Sequence, residues 1–306
     1  MPVHLIVGAG AVGAATALLL AERGEQVRVV SRRGGGPVHE GVERLAADAA
    51  DADQLSRLAD GVTVVYNCAN PAYHRWLTDW PPLASAVLTA AERSGAVLAT
   101  AGNLYGYGPV AGPMTESTPL AATNPKLRLR ADMWRAALAA HEAGRLRATE
   151  VRASDYIEAN SILTISLGKP LLAGTRAYVP APLDVPHSWT SITDVARTLV
   201  TVATDSRAWG RPWHVPTNPA VTVRELASRF SEVADAPAPK LTSVPYPALW
   251  AIGIVSPLVR ELRATRYQFD RPFVIDSSLA TKTFGIEPTP MEEALGATVT
   301  SLRGPA

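Results

Sequence analysis

The chain opens on Gly8-Ala9-Gly10-Ala11-Val12-Gly13, between an apolar run at 2–7 and an Ala- and Leu-rich stretch at 11–23 that stops at Gly24. A second apolar run, 26–30, follows. Strand, glycine loop, helix and strand within about 30 residues is the βαβ setting in which such a loop binds a dinucleotide. Each glycine has a physical task. Gly8 permits the tight turn, Gly10 lets the backbone approach a pyrophosphate, and Gly13 lets the helix pack close to the strand. Ala11 and Val12 open that helix, whose free N–H groups and partial positive charge face the phosphates. A loop that needed glycine for sterics alone would carry the same letters, but not necessarily the flanking strands and helix.

The end of the second strand speaks to which dinucleotide. An Asp or Glu there accepts hydrogen bonds from a ribose 2′-hydroxyl. This chain has Ser31, then Arg32 and Arg33. A carboxylate would repel a 2′-phosphate, whereas a guanidinium pairs with it in a forked, charge-assisted geometry. NADP is therefore expected over NAD. The competing view is that two arginines after a strand form a solvated loop.

Bulk properties narrow the class. A chain of 306 residues with 47% hydrophobic and 19% charged residues has enough apolar surface for a packed core. A net charge of +1 gives no broad electrostatic case for nucleic acid or an anionic membrane. The lone Cys68 excludes an intrachain disulfide and a cysteine-based metal cluster. No HxxxH, HExxH or carboxylate cluster argues for a metal. No uninterrupted apolar run nears the roughly 20 residues of a membrane span, and the first strand starts too early for a signal peptide. The most apolar late stretch, 247–259, carries Pro257 and reads as a packed helix. A cytoplasmic protein is expected, with a small molecule as its partner; a homodimer stays open.

Further strands are expected at 41–45, 62–66, 96–100 and 147–152, and helices at 51–59, 82–94 and 124–143. Asn124-Pro125 starts the last helix, with Asn as N-cap and Pro at its first position. Leu127, Ala131, Trp134 and Leu138 recur at helical spacing and should face a sheet. The alternation predicts an α/β fold, a Rossmann-type, doubly wound parallel sheet. Sixteen of the 25 prolines fall after residue 150, so the remainder should be loop-rich. The expected organisation is a dinucleotide-binding domain at 1–152 and a smaller substrate lobe at 153–306, partly interleaved with it.

Several segments, in order, resemble those of the extended short-chain dehydrogenases/reductases of the NAD-dependent epimerase/dehydratase kind. Ala47-Asp48-Ala49 resembles the family's Gly-Asp-Leu, and Leu104-Tyr105-Gly106 its Val-Tyr-Gly. Thr115-Glu116-Ser117-Thr118-Pro119 resembles Thr-Glu-x-x-Pro, and Ser191 to Ala196 resembles Val-x-Asp-Val-Ala. Phe273 to Asp276, through Phe284 to Pro288, resembles the late Asp-x-Ser…Leu-Gly-x-x-Pro segment. The resemblance implies that Asp48 and Ala49 meet the adenine. With the loop, Asn67, Ala69 and Thr100 at strand ends complete the expected cofactor wall.

The family's Tyr-x-x-x-Lys pair is not matched. Its Tyr position falls on Lys126 and its Lys position on Arg130, and the chain has no other Tyr-x-x-x-Lys. The Ser or Thr position falls on Ala101, beside Thr100. Lys126 and Arg130 lie one helical turn apart and share a face. Arg130 could hold the nicotinamide ribose, and Lys126 could polarise a carbonyl or bind a carboxylate; both could equally be solvated. Tyr105 and Tyr107 leave the fifth strand where open α/β sheets bind ligands, and either phenol could supply a proton. Asn103, Tyr73, Asp155, Tyr156, His187 and Trp189 are candidates to line a substrate pocket; a packed aromatic edge would use the same residues. The leading expectation is an NADP-dependent oxidoreductase of a small carbonyl or conjugated compound. The alternatives are a non-redox cyclase or isomerase on the same scaffold, or a regulatory NADP-binding protein.

Overall fold

A computed structural model describes residues 2–304. The strands are β1 (Val3–Val7), β2 (Gln26–Ser31), β3 (Val42–Ala46), β4 (Val64–Asn67), β5 (Val97–Asn103), β6 (Arg147–Ala153), β7 (Asp155–Tyr156), β8 (Arg176–Val179), β9 (Trp189–Thr190), β10 (Pro212–His214) and β11 (Lys240–Ser243). The helices are α1 (Ala11–Glu22), α2 (Ala52–Leu58), α3 (Trp76–Ser94), α4 (Pro125–Glu142), α5 (Gly168–Leu172), α6 (Ile192–Thr204), α7 (Val223–Val233), α8 (Tyr246–Val255), α9 (Pro257–Thr265), α10 (Tyr267–Asp270), α11 (Ser278–Phe284) and α12 (Met291–Arg303).

Seven parallel strands form one sheet in the order β3-β2-β1-β4-β5-β6-β10. The order reverses between β1 and β4, which opens a crevice at the strands' carboxyl ends. Val7 pairs with Asn67 and Asn67 with Thr100, so three strand ends meet beside the glycine loop. Near-continuous apolar strands such as Leu5-Ile6-Val7 are buried on both faces, as a covered parallel sheet requires. Leu55, Ala86, Val87, Trp134 and Ala137 cover one face from α2, α3 and α4. Val12, Leu20, Val195 and Leu199 cover the other from α1 and α6.

A third core joins α5, α7, α12, β8 and β9. Although β10 and α6 follow residue 152, they complete the main sheet and one of its helical layers. Asp194 ties the two parts: its carboxylate accepts from Thr289 N (2.8 Å), Thr289 Oγ1 (2.7 Å) and Arg197 Nη1 (3.0 Å). Burial raises its pKa despite those donors.

Two expectations about elements need correcting. Helix α3 begins at Trp76 rather than at 82, and it contains Pro81 and Pro82. Trp76 and Trp80 are both buried, and that apolar area offsets the backbone bonds the two prolines cannot make. The stretch 247–259 is two helices, α8 and α9, parted at Ser256. It is not packed throughout, since Trp250, Ile254 and Val255 are exposed. The side chains of Ile252 and of 257–259 lie outside the described residues. Among the described residues no helix is long and apolar enough to cross a membrane, and no cluster of three or more His, Cys, Asp or Glu could hold a metal.

Candidate active site

The glycine loop leaves β1 and turns into α1 with Gly10 as its N-cap. Gly8 has φ +108°, and a Cβ there would stand 2.7 Å from Ala69 Cα. At Gly13 an added Cβ would stand 1.9 Å from the Gly8 carbonyl oxygen, so helix and loop touch backbone to backbone. Gly10 is the opposite case: nothing lies within 4 Å of its added Cβ. The loop is therefore closed at two glycines and open at the third, where Ala11 and Val12 begin the helix. Asn67 is buried, with its Oδ1 unpartnered. An open cradle at a helix N-terminus beside an unpaired buried acceptor fits a dinucleotide. Ala69 and Thr100 sit half-buried at the neighbouring strand ends.

At the end of β2, Ser31 Oγ donates to the Gly35 carbonyl (3.0 Å), while Arg32 and Arg33 are exposed. Asp48 is exposed and accepts from Ala50 N (3.0 Å), shaping the turn that carries Ala49. Cys68, below the loop, is buried and its thiol is pushed up to about 12 by desolvation.

Asn124 caps α4 by accepting from Lys126 N (3.0 Å), with Pro125 in the first turn. Lys126 does not stand free in the crevice. Its ammonium pairs with Glu261 of α9, donates to the Tyr73 carbonyl (3.1 Å) and lies over the Tyr73 ring. Arg130 is buried; it donates to the Ala101 carbonyl (2.9 Å) and lies 4.7 Å from the centre of the Trp80 ring. Neither is a solvated helix residue, and neither presents an uncommitted cation. Arg130 Nε has no partner, and desolvation lowers the pKa of this guanidinium.

The two candidate tyrosines separate. Tyr107 is 1% exposed, and its hydroxyl is 2.7 Å from His214 Nε2 and accepts from Arg152 Nη1 (2.8 Å). His214 Nδ1 contacts the Asp276 carbonyl at 2.9 Å. A carbonyl only accepts, so Nδ1 carries the proton and Nε2 accepts from Tyr107. Arg152 in turn pairs with Glu150 at 2.8 Å. Tyr107's proton is thus committed to a buried network, which is the physical reason to correct its candidacy as an acid. Tyr105 is half-buried and packs its ring against Tyr73 and Trp76. Burial, and then the Asp155 carboxylate, hold its phenol well above the usual range. Asn103 shapes this turn by accepting from Tyr105 N (3.2 Å).

Asp155 and Tyr156 form β7, which pairs with Trp189 and Thr190 of β9. Burial pushes Tyr156 up to about 12. His187 is 1% exposed and stacks between Trp189, Phe269 and Phe273. Its Nε2 lies 3.0 Å from Asp155 Oδ2, a close contact that lacks hydrogen-bond alignment. Trp189 itself is buried and donates Nε1–H to the Val221 carbonyl (3.0 Å), so it backs the wall. The phenols of Tyr73 and Tyr267 are raised by burial, with Asp155 a further cause for both, and neither hydroxyl has an aligned partner. The structure thus brings Tyr73, Tyr105, Tyr156, Asp155 and His187 together. Tyr267, Gln268 and Glu261 join them from the late helices, and sequence reasoning missed all three. Their run, Glu261 to Asp270, matches no quoted segment, and only the charge of Glu261 opposite a lysine could have marked it.

A model of the NAD dependent epimerase/dehydratase family matches residues 4–215. A search of curated proteins finds no match. Among solved structures, the Bordetella bronchiseptica enzyme WbmH in complex with NAD+ is similar, with a TM-score of 0.77 and 20% identity over 99% of this chain and 98% of that one. The dTDP-glucose 4,6-dehydratase of Bacillus anthracis in complex with NAD has a TM-score of 0.79 and 16% identity, covering 99% and 96%. The UDP-glucose 4-epimerase of Thermotoga maritima with UDP-glucose has a TM-score of 0.78 and 16% identity, covering 98% of each chain. At these identities the likeness is one of fold.

Proposed function

This chain belongs to the NAD dependent epimerase/dehydratase family, and from that membership we propose that it is an NADP-dependent oxidoreductase that reduces a small carbonyl or conjugated compound. The observation that carries the proposal is the open position over Gly10 at the start of α1, facing a wall of tyrosines at the carboxyl ends of β4 to β6. Two of the similar structures hold NAD, which supports a nicotinamide dinucleotide here. Ser31 in place of an acid, with Arg32 and Arg33 free at the surface, favours the 2′-phosphate form. When bound, the reduced nicotinamide would supply a hydride to an electrophilic carbon.

The chain's own residues then divide the work. Backbone N–H groups of Ala11 and Val12 would hold the pyrophosphate. Tyr105 donates a hydrogen bond to the substrate oxygen and passes it a proton. A phenol held well above the usual range is reliably protonated, and an alkoxide is basic enough to take its proton. Tyr73, Trp76 and Tyr156 surround an apolar or ring-containing substrate. Lys126 fastens α9 over this wall through Glu261. Arg130 supports the end of β5 through the Ala101 carbonyl.

One observation favours a second reading, a non-redox isomerase or cyclase. The two positions that the family resemblance gives to proton transfer and ribose binding carry cations already engaged with Glu261 and Ala101. A single experiment separates the readings. Purified protein is mixed with NADPH and a library of small carbonyl and enone compounds, following reduced-nicotinamide absorbance and products together. Cofactor consumption matched by reduced product supports the oxidoreductase. Product without consumption overturns it in favour of the isomerase. Tight NADPH binding with neither makes the protein a binding module.

A further inference from the structure

We infer that Asp155 and His187 form a proton-holding couple that restores the proton Tyr105 gives up, a carboxylate–imidazole pair set between β7 and the approach to β9. The inference rests on the oxidoreductase reading of this site.

The tautomer of His187 is fixed by geometry. Its Nδ1 is 3.2 Å from the Gln268 carbonyl, which can only accept, so Nδ1 carries a proton. Nε2 therefore faces Asp155 Oδ2 at 3.0 Å as a lone pair unless a second proton lies between them. Two lone pairs at that distance in an aromatic pocket repel, and one proton turns the contact into attraction. Another buried histidine is a control within the same molecule. His214 also donates Nδ1–H to a carbonyl, but its Nε2 takes a proton from the Tyr107 hydroxyl. That histidine is satisfied by a neutral neighbour. His187 is offered a carboxylate instead, and its ring is locked by stacking on Phe269 at 4.7 Å and 9°.

Burial sets the direction of transfer. His187 is sealed, with its side chain 1% exposed, while Asp155 keeps 28% of its side chain accessible. Tyr105 and Asp155 each stand two residues beyond the paired strand positions Asn103 and Ala153, and the Asp155 charge helps raise the phenols of Tyr73, Tyr105, Tyr156 and Tyr267. Two cations lie near this wall: Arg130 lowers the Tyr156 phenol, and the Lys126 ammonium over the Tyr73 ring is already paired with Glu261. A Tyr105 phenolate beside an unprotonated Asp155 would thus be strongly disfavoured. In the step proposed, the O–H bond of Tyr105 breaks and an O–H bond forms on the substrate oxygen, converting an alkoxide to an alcohol. The proton held between Asp155 and His187 moves to the Tyr105 oxygen, leaving carboxylate and neutral imidazole. Solvent returns one proton through the accessible edge of Asp155. The imperfect alignment of the 3.0 Å contact suits a couple that tightens only when substrate fills the crevice.

Tyr105 touches the substrate, whereas Asp155 and His187 act through it as positioning residues. The test has two arms. In the first, a carbonyl substrate found by NADPH consumption is used to compare wild type with Asp155→Asn, Asp155→Glu and Tyr105→Phe. Asp155→Asn should lower kcat by about 10²–10⁴-fold with the NADPH KM unchanged, and Asp155→Glu should restore part of that loss. The Asp155→Asn/Tyr105→Phe double variant should be little slower than either single one, since both interrupt one route. Full kcat in Asp155→Asn overturns the couple. So does a loss that is purely additive with that of Tyr105→Phe. The second arm needs no turnover: ¹⁵N spectra of the histidine rings in wild type and Asp155→Asn. The His187 Nδ1 signal should stay that of a protonated nitrogen in both, while Nε2 moves on loss of the carboxylate. Identical Nε2 signals overturn the proposal. If no NADPH is consumed with any compound, the oxidoreductase reading fails and this arm alone decides whether the couple exists.

Discussion

The two walls of the crevice are built on different principles. On the β1–α1 side the site is made of backbone and missing side chains. Gly8 and Gly13 close the loop on itself, and Gly10 leaves a space that nothing in the chain occupies. On the β5–β6 side the site is made of side chains from six segments spread from Tyr73 to Tyr267. Charge and hydroxyl groups there are either consumed by the protein, as Lys126, Arg130 and Tyr107 are, or left facing the crevice, as Tyr105 and Asp155 are. A backbone cradle can be written in six consecutive residues. A proton-transfer wall cannot, because its members are chosen by what else touches them.

The largest effect expected lies in the first wall. Gly10→Val should weaken NADPH binding by more than about 10²-fold, since two charge-assisted hydrogen bonds at ~1.5–3 kcal/mol each are lost with the pyrophosphate. The fold should survive, because nothing lies within 4 Å of the added Cβ. Gly13→Val is the contrast: its Cβ would meet the Gly8 oxygen at 1.9 Å, so this variant should lose folded protein along with binding. Calorimetry and thermal melts of both variants check the pair. A folded Gly10→Val that binds NADPH normally would break the account of the cradle.

In the second wall the two tyrosines should behave oppositely. Tyr105→Phe should lower turnover by about 10²–10⁴-fold and leave NADPH affinity near wild type. Tyr107→Phe should keep turnover within a few fold but lose about 1–3 kcal/mol of stability, because Arg152 and His214 each lose a buried partner. Steady-state kinetics and denaturant unfolding on both variants measure this. Equal loss of turnover in the two would mean that the buried network, not the Tyr105 phenol, controls the chemistry.

The same contrast explains what could be read from the letters alone. The GxGxxG loop, the strand ends beside it and the helix after Asn124-Pro125 are local patterns, and periodicity and capping find them. The start of α3 was hidden because prolines mark breaks unless something distant, here the burial of Trp76 and Trp80, outweighs them. Tyr105 and Tyr107 look alike two residues apart; one meets His214, 107 positions away in the chain, and the other does not. Lys126 reads as a free cation until Glu261 is brought against it. Asp155 and His187 were both in view, but their contact depends on β7 pairing with β9, two-residue strands with no periodicity to detect.

A smaller effect tests cofactor choice at the rim of the cradle. NADP(H) should bind at least about tenfold tighter than NAD(H), because one charge-assisted contact to the 2′-phosphate is worth ~1.5–3 kcal/mol. Arg32→Ala should bring the two affinities together while leaving NAD(H) unchanged. Calorimetric titration of both cofactors sharpens the comparison by showing whether the cradle's selectivity is carried by side chains. Equal affinities in wild type would reassign Arg32 and Arg33 to a solvated loop.

The smallest effect concerns the buried network behind the second wall, and it has a sign that can be worked out. Burial lowers the pKa of His214 below its ordinary value of 6.5, against the opposing pull of Glu116. Its neutral form is the one the network needs, since Nε2 must accept from Tyr107 while Nδ1 donates to the Asp276 carbonyl. In the unfolded chain the imidazole takes up a proton as the pH falls through about 6.5, while the folded protein still excludes it. The unfolded state then binds more protons, so this group's contribution is fully present above pH 6.5 and declines below it, by at most ~1.4 kcal/mol per pH unit, until the folded-state pKa is reached. Urea unfolding between pH 7.5 and 5.5 should show that decline in wild type, and His214→Gln should flatten part of it. Turnover in His214→Gln should keep the wild-type pH profile. If His214→Gln leaves the pH slope of stability untouched and instead moves the pH profile of kcat, the network is part of the reacting wall, and the division between consumed and available groups fails at its centre.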